Sequence, residues 1–94
     1  MKLYHVTSER KARRYRETGH IIKPVRGFTT LSGAMVWAIH TGRKVIYEVH
    51  GDPAYKLPDH HNLFGDAWWL DQDIVDFKCM RLNRVQRNLV NITI

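Results

Sequence analysis

A histidine and two hydroxyls close the first apolar run of the chain, Leu3-Tyr4-His5-Val6-Thr7-Ser8. Leu3, Tyr4 and Val6 suit a β-strand, and Thr7 or Ser8 can cap a helix that begins at Glu9. This order sets His5 near the carboxyl end of a strand, beside a helix N-terminus. The oriented N–H groups of such a terminus favour an anion, a pyrophosphate for example. The pattern predicts a binding site at His5.

The helix that follows is strongly cationic, with Arg10, Lys11, Arg13, Arg14 and Arg16 in seven positions. Arg10, Arg13 and Arg14 stand three and four apart and so share one side. A side of that kind either faces phosphate-rich partners or is simply solvated; the shared spacing tilts the reading towards an anion-facing, nucleic-acid-binding surface. Other constellations carry less. Asp59 with His60-His61 has metal-ligand residue types, but adjacent histidines point different ways and no second cluster stands at ligand spacing, so solvent-exposed loop residues are expected. His50-Gly51-Asp52 suits a turn as well as a ligand site. Asn91-Ile92-Thr93 matches a glycosylation triplet without an accompanying secretion signal.

The bulk composition bounds the answer. Ninety-four residues, 44% hydrophobic and 26% charged, make one globular domain, 1–94, with a modest core. No apolar run is long enough to span a membrane, and no secretory signal precedes the first strand. Cys79 is the single cysteine, so no internal disulfide forms; its setting predicts a buried core thiol, and a cytoplasmic location is the simplest expectation. The net charge of +6 is uneven. Residues 1–50 hold ten Lys and Arg against three acids, and residues 51–94 five against six. Such a bias attracts anionic partners to the first half.

These residues need elements to position them. A strand is expected over about 2–6 and a helix over about 8–18, closed by Gly19. His20 to Val25, broken by Pro24, reads as an edge segment, and Arg26 to Thr30 as a short extended piece. Ser32 caps a helix to about His40, with Met35, Ala38 and Ile39 inward. Lys44 to His50 is the clearest strand, and its largely apolar faces place it centrally. Gly51 to Gly65 is an irregular loop of a length that is usually functional. Ala67–Leu70 and Ile74–Met80 read as strands, with Val75, Phe77 and Cys79 alternating. Val90, Ile92 and Ile94 alternate like a terminal strand. The sum is α+β: two helices on a small mixed or split antiparallel sheet.

Three segments then stand in order: His5 with Thr7-Ser8; Gly27-Phe28-Thr29-Thr30 leading into Ala34 and Trp37-Ala38; and Lys44 to Val49 followed by Asp66-Ala67-Trp68-Trp69-Leu70. Over about residues 2–80 this resembles the minimal ADP-ribosyltransferase fold of small bacterial and phage NAD-dependent transferases. RNA 2′-phosphotransferases share that fold, and Thr29-Thr30-Leu31-Ser32, Ala38, Gly42 and Trp69-Leu70 are similar to their pattern. The resemblance implies NAD as substrate, with His5 on a ribose hydroxyl and the backbone at Val6 and Thr7 near the nicotinamide carboxamide. It implies Phe28 stacked on the nicotinamide ring, with Trp37 behind it, and Thr29, Thr30 or Ser32 orienting the substrate.

The family also places a glutamate at the head of the late strand, where a carboxylate stabilises the cationic sugar as nicotinamide leaves. This chain has no Glu after Glu48. Asp66 is the nearest carboxylate, with Asp71 and Asp73 behind it, and each is a methylene shorter than Glu. The expectation is an NAD-utilising ADP-ribosyltransferase-like protein that uses His5 and Asp66 on a protein or nucleic-acid acceptor. One alternative is a catalytically inactive basic module that docks on nucleic acid or an acidic protein. Another is an RNA 2′-phosphotransferase-like enzyme working with a histidine and cations such as Arg10, Arg13, Arg26 and Arg43.

Overall fold

The computed structural model describes residues 1–58 and 64–91. Its elements are β1 (Lys2–Thr7), α1 (Glu9–Thr18), β2 (Val25–Phe28), α2 (Leu31–Thr41), β3 (Val45–His50), β4 (Tyr55–Lys56), β5 (Ala67–Leu70), β6 (Phe77–Cys79) and α3 (Arg84–Val90). The fold is α+β, with three helices and a six-stranded sheet in the order β4-β5-β2-β1-β3-β6. Among the described residues every strand pair is antiparallel, so the described sheet is not mixed.

The helix ends follow local chemistry. The Ser8 side chain accepts the Lys11 N–H at the start of α1, and Gly19 closes it at φ 75°, a left-handed turn that glycine enters without strain. At α2 the cap is Thr30 rather than Ser32. The Thr30 hydroxyl accepts from Gly33 N at 3.0 Å and donates to the Phe64 carbonyl at 2.6 Å, which ties the helix start to the approach to β5. Asn83 and Gln86 form a reciprocal capping box that starts α3. That helix carries Val90 inward, so Val90 belongs to a helix and not to a terminal strand. Ile92, Thr93 and Ile94 lie outside the described residues, as do Asp59 and His60-His61.

Two cores sandwich the sheet. Leu3, Ala12, Tyr15, Val25, Tyr47, Val49 and Leu70 pack between the sheet and α1. Val6, Phe28, Ala34, Met35, Ala38, Ile46 and Val90 pack on the α2 side. Sequence alternation overreaches at β6, which spans only Phe77–Cys79; Ile74 makes a single bridge to Ile21, and Val75 is exposed. Cys79 is exposed as well, a correction to the buried thiol expected from its alternation. β6 is an edge strand of the sheet, and alternation alone does not reveal an edge.

One junction matters for the site. β3 pairs with β1 along six residues, from Lys2↔His50 to Thr7↔Val45. On its other side β1 pairs with β2 only at Tyr4↔Phe28. Beyond that pair the ladder stops. Gly27 approaches Leu3 so closely that a β-carbon there would sit 2.7 Å from the Leu3 Cβ.

Candidate functional site

A cleft of about 490 Å³ opens where the β1–β2 ladder ends. β1 contributes His5 and Val6, α1 contributes Lys11, Arg14, Tyr15 and Thr18, and the next segment His20, Ile22 and Pro24. Arg26, Phe28, Trp37, Arg43 and Trp69 complete the lining. The lining draws on both faces of the sheet, because Phe28 and Trp37 belong to the α2 core whereas Tyr15 belongs to the other. A continuous sheet would separate them.

His5 is held from two sides. Its Nδ1 lies 2.8 Å from the Arg26 carbonyl, which can only accept, so Nδ1 carries the proton. Nε2 is then an acceptor, and the Tyr15 hydroxyl donates to it at 3.2 Å. The fully buried Thr7 hydroxyl donates in turn to the Tyr15 oxygen at 3.3 Å. Burial, opposed by the Arg26 carbonyl and reinforced by Lys11, Arg43 and Arg26, lowers the His5 pKa to about 4. At neutral pH the imidazole is a neutral, fixed tautomer.

The cations around it meet no acid in the described lining of the cleft. Lys11, Arg14, Arg26 and Arg43 line the cleft, and no carboxylate does among the described residues. The Arg26 guanidinium carbon sits 4.5 Å from the Trp37 ring centroid, and Nε is buried without a hydrogen-bond partner. Burial lowers the Arg26 pKa from its ordinary value, and the neighbouring charge of Arg43 adds to the effect. Like charges gathered in a partly dry cleft favour an anionic guest.

The sequence-predicted residues divide. His5, Val6, Phe28 and Arg14 line the cleft. Phe28 is 1% exposed and packed in the α2 core, 6.0 Å from Trp37, so its ring offers a ligand little free face. Thr7 supports Tyr15 from behind. Thr29 spends its N–H on the Asp66 carbonyl at 2.9 Å, and Thr29, Ser32, Arg10 and Arg13 are not part of the lining. Arg10 and Arg13 are exposed outside the lining, whereas Lys11, Arg14 and Thr18 belong to it.

Asp66 does not join His5 in the cleft. Its carboxylate pairs with Lys56 at 3.4 Å, and Asp66 is not part of the lining. Asp73 accepts the Lys23 N–H, and Asp71 is exposed; neither lines the cleft. Tyr15 is the member that sequence reasoning passes over. Its signal is the Ala12/Tyr15 spacing within the basic helix, the only pair of α1 that is buried.

No family model, curated protein or solved structure matches this chain. No helix among the described residues is long and apolar enough to cross a membrane.

Proposed function

We propose that the cleft binds NAD and that the chain is an ADP-ribosyltransferase-like protein. The observation that carries this reading is a set of four cations around a neutral, oriented His5, with Trp37 and Trp69 beside them and no lining carboxylate among the described residues. Cations suit a pyrophosphate and indole faces suit a nucleotide base. The volume of about 490 Å³ is of the order of small-molecule clefts. The edge of β1 that faces β2 beyond Tyr4 supplies backbone groups for a carboxamide.

As a substrate, NAD supplies an activated ribose: the bond from C1′ to nicotinamide breaks, its electron pair leaves with nicotinamide, and an acceptor lone pair bonds to C1′. The fit is good for the phosphates and poor for the sugar. No carboxylate of the described lining stands ready to hold the ribose 2′-OH or to steady positive charge. Asp66 would have to leave Lys56 to do so.

The cationic lining also supports a second reading, the RNA 2′-phosphotransferase-like one. A phosphate acceptor is already an anion and needs no carboxylate to take its proton. Arg26 and Arg43 with His5 form a cationic pocket suited to it. Calorimetric titration with NAD separates binding from its absence. We expect saturable binding that weakens in Arg26→Gln. Turnover of a 2′-phosphorylated RNA in the presence of NAD supports the second reading over the first. Wild-type protein that ignores NAD overturns both.

A further inference from the structure

The register of the sheet builds a second feature next to the cleft. Tyr55 on β4 stands opposite Trp69 on β5, and Trp69 stands opposite Arg26 on β2. Directly opposed residues of neighbouring strands share a face, so the three side chains form one row across three strands. The Tyr55 and Trp69 rings lie 6.1 Å apart and 20° from parallel. Trp69 and Arg26 line the cleft, whereas Tyr55 lies outside its lining on the edge strand and is 53% exposed. A strip of planar groups thus runs from the cationic cleft to the rim of the molecule.

We propose that this strip is a docking site for single-stranded nucleic acid, with an unpaired base on Tyr55 and neighbouring phosphates on the cleft cations. As the place where an acceptor docks, it rests on the transfer reading above; as a binding surface it does not. Three features select this occupant. An exposed aromatic face next to a cationic groove matches the way single strands are held, bases stacked on rings and phosphates against Lys and Arg. A duplex hides its base faces, so the platform discriminates against it. The overall charge of +6, with its excess in the half that supplies Lys11, Arg14, Arg26 and Arg43, repels a cationic partner and draws a polyanion to this side.

The test uses the whole chain, wild type and Tyr55→Ala, with labelled oligouridylate and oligothymidylate of about twelve nucleotides and a duplex of the same length. Tyr55 is exposed enough to be truncated without opening the core. Fluorescence anisotropy should show wild type holding a single strand, of RNA or DNA, more tightly than duplex. Tyr55→Ala should weaken that binding about tenfold and leave the NAD affinity unchanged. The same loss in a protein that never binds NAD supports the strip while overturning the transfer reading. Equal oligonucleotide affinity in the two proteins overturns the proposal. So does duplex held as tightly as single strand, or NAD affinity falling in step with the oligonucleotide, which would make the platform part of the NAD pocket.

Discussion

Two clusters of charge on this small sheet are built in opposite ways. On β3, the Glu48 carboxylate has Lys78 at 3.5 Å and Lys2 at 4.0 Å, with the His50 ring nitrogen at 3.3 Å. Its pKa is lowered, first by the His50 hydrogen bond and then by the two lysines. In the cleft, Lys11, Arg14, Arg26 and Arg43 gather with no acid among the described lining. The first cluster is satisfied within the chain. The second has no acid within its described lining, and that difference is what the proposed binding of an anion rests on.

The largest effect that sharpens the contrast is a pH dependence of stability centred on His5. Its folded pKa is about 4 against 6.5 for the unperturbed group. As pH falls through 6.5 the unfolded chain takes up a proton that the folded chain refuses. Stability therefore declines between about 6.5 and 4 and levels off below, by roughly 3 kcal/mol in all. Urea unfolding at stepped pH measures it, and His5→Gln should flatten that part of the curve. An unchanged slope in the variant breaks the picture of a buried neutral imidazole.

Next comes the cleft cation Arg43. Arg43→Ala should lower pyrophosphate affinity by roughly tenfold, the order expected for one charged contact, as read by calorimetry. Its unliganded stability should hold, because the substitution relieves repulsion with Arg26. Glu48→Gln should do the reverse: unaltered pyrophosphate binding, and lower unliganded stability because two lysines lose their shared acid. If both variants behave alike, the two clusters are not different in kind. The smallest effect is that of Tyr15→Phe. Removing the donor to His5 Nε2 should cost about 1 kcal/mol and raise the His5 pKa, visible in the NMR titration of the imidazole. An unmoved titration would mean that Tyr15 does not fix the ring.

Much of the local structure is legible in the sequence because it depends on neighbours in the chain. Gly19 ends α1, Val45–His50 forms a strand, and His5 falls on a strand beside the start of a helix. The Asn83–Gln86 capping box is equally local, but the alternation of Val90, Ile92 and Ile94 competes with it and points to a strand instead. What is not legible depends on partners far away. Cys79 alternates with Phe77 as a core residue would, yet β6 is an edge. Asp66 is close in sequence to the expected carboxylate position, yet it pairs with Lys56 of β4. Arg26 and Arg43 are seventeen positions apart, and only the broken β1–β2 ladder brings them to His5. Tyr15 is concealed among arginines that announce a surface helix.

Beside that break stands a residue outside the cleft lining. Gly27 leaves no room for a side chain against Leu3, so even one added carbon would wedge the two strands apart where they are still joined. Gly27→Ala would accordingly alter the aperture while every reactive group kept its identity. In this chain a hydrogen atom in place of a methyl group lets the two strands meet closely beside the cleft, and their spacing can change there without any change in charge, aromatic surface or proton chemistry.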